Sequence, residues 1–237
     1  MSYRIAVDTG GTFTDVVVAD ADGRLTVGKS LTTPERTYDG FSAALANAAD
    51  IIGVPVANLL AETEVLIYGT TRSTNSIVEN KTAKTALLVT EGFPDTLLYR
   101  QGGKREPLNL AMEFPPPYVP RRLTFEIAER INAEGGIETA LDEAAARATV
   151  EALPAMNIEA VAVSLLWSIV NPQHEVRIGA LINEIMPGIP YTLSHQLNPI
   201  IREYPRTSST AIDASLKPLM QSHLTEFQND LRAANYQ

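Results

Sequence analysis

The sequence predicts a mixed α/β fold built in layers, and three observations carry that prediction. Short β-branched runs alternate with segments of helical period, and the N-terminus reads as strand, tight turn, strand. In addition, 237 residues at 45% hydrophobic and 20% charged suffice to bury a core in one large domain or two small ones.

Ile5-Ala6-Val7 runs into Asp8-Thr9-Gly10-Gly11-Thr12-Phe13-Thr14-Asp15, and Val16-Val17-Val18 resumes before an Asp20-Ala21-Asp22-Gly23 turn. Leu25 to Leu31 supplies a third strand, completing an N-terminal β-meander. Thr33-Pro34 introduces a helix from Thr37 to Ile52, in which Tyr38, Phe41, Leu45, Ala48 and Ile52 recur near helical spacing and Gly53 marks the stop. Val65 to Tyr68 is a short buried strand ending at Gly69-Thr70-Thr71; a helix from Ser73 to Glu79 and a strand over Ala86 to Val89 follow.

Gly102-Gly103, Pro107 and Pro115-Pro116-Pro117 punctuate an extended connection from Gln101 to Pro120. Leu123, Phe125 and Ile127 alternate with polar neighbours as a half-exposed strand before a Gly135-Gly136 turn. Asp142 can cap a helix to Leu153, and Val161 to Leu166 is a fully buried strand. Asn171-Pro172 predicts a helix start with the proline at the first helical position, and a last helical region is expected from about Ser208 to Ala234, broken or bent near Pro218.

Composition removes several chemistries. The chain has no cysteine, which excludes disulfides, thiolate zinc sites and cysteine nucleophiles. His174, His195 and His223 stand too far apart for a local metal motif and read as surface or core residues. A net charge of -9 without a basic stripe argues against nucleic acid as a partner. No apolar run reaches the roughly 20 residues of a membrane helix, and Met1 to Asp8 lacks a secretion-signal core, so a cytoplasmic location is expected.

Three clusters are candidates for chemistry. In the first turn, Gly10 and Gly11 let the backbone approach a ligand and aim successive N–H groups at one point, the nest that binds an anion. Thr12 and Thr14 add hydroxyls, while Asp8 and Asp15 are hard oxygen groups able to hold Mg²⁺ directly or through its waters. A plain hairpin connection also explains Gly-Gly here; the polar excess around it is what a connection alone does not need. No P-loop exists in the chain, since Gly103-Lys104-Arg105 lacks the spacing, and the strand after the glycines excludes a Rossmann fingerprint.

The second cluster, Gly69 to Asn75, follows a buried strand at an expected helix start. There Ser73 and Thr74 read as caps, and Thr70 and Thr71 as candidates for function at a strand end, where α/β sheets bind ligands. In the third, Arg202 and Arg206 flank Glu203-Tyr204-Pro205 ahead of a hydroxyl run. Arginine forks suit phosphate or carboxylate, but an internal ion pair that orders the approach to the last helix explains the same residues.

In their order, these motifs resemble the hydantoinase A, oxoprolinase, acetone carboxylase and acetophenone carboxylase subunits over nearly the whole length. The matching stretches are Asp8 to Asp15, Gly69-Thr70-Thr71, Thr74-Asn75, Glu91-Gly92-Phe93-Pro94-Asp95, Pro120-Arg121-Arg122, Glu129-Arg130, Asn171-Pro172 with His174-Glu175, and Arg202-Glu203-Tyr204 with Arg206-Thr207. The resemblance implies an actin-like lobe of the sugar kinase and heat-shock protein type, incomplete relative to the full family fold. Residues 1–200 would form its N-terminal domain, and 201–237 the helical start of the next.

It further implies ATP and Mg²⁺ as cofactors, with Asp8 and Asp15 catalytic and Asp8 also the metal ligand. Gly10, Gly11, Thr12, Thr14, Thr70 and Thr71 would bind the nucleotide; Asn75, Arg202 and Arg206 would contact a small carbonyl substrate. The implied reaction is phosphorylation of an amide or ketone carbonyl, leading to cyclic-amide hydrolysis or ketone carboxylation. A second lobe beyond Gln237, or a companion hydantoinase B-type or carboxylase subunit, is the implied partner. One departure stands out: Tyr68 occupies the position before Gly-Thr-Thr where the family commonly has histidine. A non-catalytic fragment and a small-molecule kinase of the same superfamily are the rival readings.

Overall fold

The β-branched runs near the N-terminus form strands in the computed structural model, which describes residues 2–102, 108–109 and 111–236. The chain divides into two compact units, one of Met1–Lys81 with Met220–Gln237 and one of Thr82–Leu219.

In the first unit, β1 (Tyr3–Thr9), β2 (Phe13–Ala19) and β3 (Leu25–Leu31) make the expected meander, followed by α1 (Thr37–Ile52), α2 (Val56–Ala61), β4 (Thr63–Thr70) and α3 (Arg72–Val78). The sheet order is β3-β2-β1-β4, with β4 parallel to β1 and the other pairs antiparallel. Along β1, Tyr3, Ile5, Val7 and Thr9 are buried while Arg4, Ala6 and Asp8 are exposed, the period-2 signature of a strand covered on one face. Phe41, Ala44, Leu45 and Ala48 of α1 belong to the core on the covered side, and Phe227 meets Phe41 edge-on at 5.3 Å between ring centres. Gly53, at φ 78°, closes α1 by donating its N–H to the Ala49 carbonyl at 2.8 Å.

Register sorts the other face into rows. Gly69, Asp8, Asp15 and Lys29 align across the sheet, and Ile67, Ala6, Val17 and Val27 align in the next row of the same face. Val27, Val65 and Ile67 are exposed, so β4 is not the buried strand expected over Val65 to Tyr68.

The second unit contains β5 (Thr85–Thr90), α4 (Thr96–Tyr99), β6 (Thr124–Ile127), β7 (Arg130–Ile131), β8 (Ile137–Thr139), α5 (Glu143–Ala152), β9 (Ala160–Ser164), α6 (Gln173–Ile185), β10 (Tyr191–Leu193) and α7 (Ser194–Leu197). Its main sheet, β10-β9-β5-β6, is parallel throughout. Every residue of β5 and β9 is buried, as central parallel strands with both faces covered require. The last helix, α8 (Glu203–Ala233), carries residues of both units.

Several local expectations need correction. Pro172 caps α6 instead of occupying its first turn; Asn171 sits one residue further out, where its Oδ1 accepts the Gln173 N–H and its Nδ2 donates to the Gly135 carbonyl. Thr124 is buried, not exposed, because β6 pairs with β5 in the sheet. The final helix starts at Glu203 and continues through Pro218. Of the Gln101 to Pro120 connection, Gly103 to Pro107 and Leu110 lie outside the described residues, and Ala111 to Pro120 forms neither helix nor strand.

Gly28 allows the tightest approach in the first unit. A Cβ there would stand 2.0 Å from the Ala44 carbonyl oxygen and 2.9 Å from the Ala48 nitrogen, so β3 and α1 touch backbone to backbone. Gly28→Ala must push the helix off the sheet, and we expect a loss of at least about 3 kcal/mol of stability in urea denaturation. An unchanged midpoint would show that this packing is not needed.

Candidate functional site

The bend between β1 and β2 is closed by Gly10 donating its N–H to the Phe13 carbonyl at 3.0 Å. Thr32, just past β3, fastens it from outside: its N–H reaches the Thr12 carbonyl at 2.9 Å and its hydroxyl donates to the Gly10 carbonyl at 3.0 Å. With that proton committed, the Thr32 oxygen accepts from Thr14 at 3.0 Å. Thr14 is fully buried, so its hydroxyl shapes the bend rather than facing outward.

These bonds leave the N–H groups of Gly11 and Thr12, and the Thr12 hydroxyl, without an acceptor among the described residues. All three belong to exposed residues. A Cβ on Gly11 would meet only the Asn75 Nδ2, at 3.8 Å, so the glycine keeps the cradle open and is not required by packing. Residues sequence-distant from the bend converge on it. Parallel pairing sets Gly69 beside Asp8 and Thr70 beside Thr9, and the Thr71 N–H bonds to the Thr9 carbonyl at 3.3 Å. The Thr70 hydroxyl accepts the Arg72 N–H at 3.2 Å, and Asn75 donates to the Thr71 hydroxyl at 3.4 Å. The buried Thr9 hydroxyl has no partner.

Asp8 and Asp15 face each other across the β1–β2 ladder, and their surroundings differ. Lys29, cross-strand from Asp15, places its ammonium 2.7 and 3.0 Å from the two Asp15 oxygens and 4.5 Å from the centre of the Phe13 ring. Asp8 is exposed and makes no ion pair among the described residues. The arrangement therefore offers free main-chain donors for an anion beside one free carboxylate for its cation. Lys29 and Thr32 were not foreseen. Strand period alone would have placed Lys29 on the Asp15 face had the β2–β3 register been known.

The arginine pair lies in the second unit. Arg202 is exposed just ahead of α8, and its carbonyl accepts the Arg206 N–H at 3.3 Å. The Arg206 side chain is 1% exposed and donates to the carbonyls of Ile200 at 2.9 Å and Leu165 at 3.0 Å. Burial lowers its pKa, opposed by Glu175 and Glu203. So placed, Arg206 ties the start of α8 to the residue after β9. Two of the histidines are also engaged by carboxylates, His174 by Glu129 at 2.7 Å and His195 by Glu175 at 2.6 Å. Among the described residues no group of three or more His, Asp or Glu side chains is placed to hold a metal on its own.

Tyr68, at the end of β4, bonds through its hydroxyl to His223 Nε2 at 2.9 Å and packs on Phe227 with ring centres 4.5 Å apart. An imidazole is thus delivered to this position by the last helix.

Comparison with known proteins gives these residues a context. The family model described as hydantoinase/oxoprolinase N-terminal region matches residues 4–186. The caprolactamase subunit alpha of Pseudomonas jessenii is 36% identical over 224 residues, covering 94% of this chain and 32% of that protein. The acetophenone carboxylase gamma subunit of Aromatoleum aromaticum is 34% identical over 245 residues, covering 98% and 33%.

Among solved structures, the ATP-dependent caprolactamase from Pseudomonas jessenii superimposes with a TM-score of 0.88 at 34% identity, covering 99% of this chain and 34% of that one. Nucleotide-free acetone carboxylase, from work on ATP-dependent acetone carboxylation, gives 0.84 at 26% identity, covering 99% and 35%. The fold is the mixed α/β type expected, shared with these two enzymes, and the chain spans about a third of the length of the relatives named here.

His223 supplies a pH test. Burial first, and then the Arg72 charge, lower its pKa below 6.5, against a smaller upward pull from Glu226. The fold therefore prefers neutral His223: its contribution is complete above the unfolded pKa near 6.5 and is lost as pH falls toward the lower folded value. We expect the stability advantage of the natural chain over His223→Gln to shrink between about pH 7 and 5 in urea titrations. An advantage independent of pH would refute the assignment.

Proposed function

We propose, since this chain belongs to the hydantoinase/oxoprolinase N-terminal region family, that its first unit holds ATP phosphates and serves the phosphorylation of an amide or ketone carbonyl. The observation that carries the proposal is the bend at Gly10 to Thr12, whose free N–H groups sit beside an unpaired Asp8 and the Gly69-Thr70-Thr71 strand end.

The residues present fit a nucleotide with its metal. Gly11 and Thr12 would donate main-chain N–H groups to phosphate oxygens, with the Thr12 hydroxyl as a further donor. Thr71 and Asn75 border the same opening, while Thr70 and Thr14 maintain its shape. Asp8 would hold Mg²⁺, directly or through water. Asp15, already neutralised by Lys29, would orient that hydration shell instead of bearing the metal itself. Bound ATP would supply a phosphoryl group that makes a carbonyl oxygen a good leaving group, and Mg²⁺ the neutralisation of charge. This chain's contribution is positioning and fixed dipoles, which supply most of the rate enhancement in phosphoryl transfer.

Hydrolysis of a cyclic amide and carboxylation of a ketone both follow from such activation, and the named relatives include both kinds. We place the start of the following hydantoinase A domain near residue 200. Because the chain covers about a third of its relatives, which are named as subunits, turnover is assigned to the assembly with a second lobe or a companion subunit.

Calorimetric titration with Mg-ATP tests the binding step. Gly11→Ala adds a methyl group where only Asn75 is near, so it should leave the thermal midpoint unchanged while weakening nucleotide binding about tenfold or more. Asp8→Asn should remove most of the dependence on Mg²⁺. If both variants bind Mg-ATP like the parent chain, the bend is not the phosphate site.

A further inference from the structure

The second unit contains a cavity of about 340 Å³ that the proposed nucleotide site does not use, lined by Phe93, Thr96, Arg100, Arg130, Leu166, Trp167, Glu203 and Tyr204. Its volume falls in the range of small-molecule sites, roughly 300–1,000 Å³. It lies past the carboxyl ends of the central strands: Leu166 and Trp167 follow β9, and Phe93 follows β5. Crevices at this end of parallel sheets are where α/β folds bind ligands.

Two features separate this cavity from a packing gap. First, the side chains of Arg100, Arg130, Glu203, Trp167 and Tyr204 make no hydrogen bond or ion pair with any described residue. Arg130 is held instead over the Phe93 ring at 5.0 Å. Second, the walls are fixed from behind. Glu129, next to Arg130, is buried and bonded to Thr90 and His174, and Thr90 accepts the Leu166 N–H at 2.9 Å. Arg206 joins the Leu165 carbonyl to the start of α8, which carries Glu203 and Tyr204. Arg100 and Trp167 both have positive φ, 57° and 54°, unusual for such residues and a recurrent feature of functional sites.

The lining identifies the ligand by chemistry. Two arginines against one glutamate leave one net positive charge, which matches a monoanion; a phosphate dianion would be opposed by Glu203. Phe93, Trp167 and Tyr204 offer flat aromatic walls. We propose that this cavity is a binding site for a small aromatic monocarboxylate, its carboxylate taken by Arg100 and Arg130 and its ring by Trp167 and Tyr204.

Trp167 is the chain's only tryptophan, so its fluorescence reports this cavity alone. Titration with benzoate should change the emission saturably, and more weakly at high salt. Benzamide, the uncharged counterpart, should bind at least about tenfold more weakly. Arg100→Gln and Arg130→Gln should each cost about tenfold in benzoate affinity. Glu203→Gln should bind benzoate as tightly as the natural chain or more so, and decides the matter even if an arginine variant misfolds. No saturation below about 10 mM benzoate, equal binding of benzamide, arginine variants that bind benzoate normally, or a Glu203→Gln that loses binding while folded would overturn the proposal. Mg-ATP titrations of the same samples follow the bend separately, so failure of one site is distinguishable from failure of the other.

Discussion

The parallel pairing of β1 with β4 is the constraint on which the candidate phosphate site depends. Parallel neighbours end on the same side, so the register that puts Gly69 beside Asp8 delivers the second polar cluster to the first. An antiparallel partner would have ended at the opposite edge and left the β1–β2 bend with its own residues only. Sheet topology thus converts two separated sequence motifs into one opening.

Much of this was legible in the sequence where the signal was local. Leu25–Leu31 and Thr37–Ile52 were predicted to the residue because strand period, proline and the Gly53 stop all act over a few positions. The Asp142 cap was also local, and its side chain accepts the Ala145 N–H at 3.0 Å. What escaped reading depended on distant partners. Thr32 fastens a bend some twenty positions earlier, and nothing around Thr32 announces it. Strands of two or three residues such as β7, β8 and β10 are too short to show a period. The last helix starts at Glu203, ahead of the expected Ser208, and Pro205 lies in that added stretch. In a first turn its missing N–H costs nothing.

Arg206 shows a different limit. An arginine beside a hydroxyl run looks the same in sequence whether its fork grips an anion or main-chain carbonyls. The structure distinguishes the two by burial, and the buried Leu165 carbonyl left unpaired would cost on the order of 1–3 kcal/mol. Glu175 is the complementary case. Fully buried, it accepts the Leu165 N–H, the Ser194 hydroxyl and the His195 N–H, so a carboxylate takes up donors at the ends of β9 and β10. Buried charge is tolerable here because every lone pair has work, and the result is a rigid frame under the aromatic cavity.

The proposed polyphosphate site has to work against the chain's own charge. A net charge of -9 repels phosphate at long range, so attraction must arise within a few ångströms from fixed dipoles and a cation. Two opposed carboxylates at the bend would work against this if both were bare. Lys29 removes that conflict by neutralising Asp15, leaving Asp8 as the single open acid beside the free N–H groups. Mg²⁺ bound alongside phosphate takes one or two carboxylates, so the open Asp8 suffices as its protein ligand in the proposed site. In the proposed site Lys29, a strand residue without contact to the bend's amides, would thus set the local charge while the glycines open the bend.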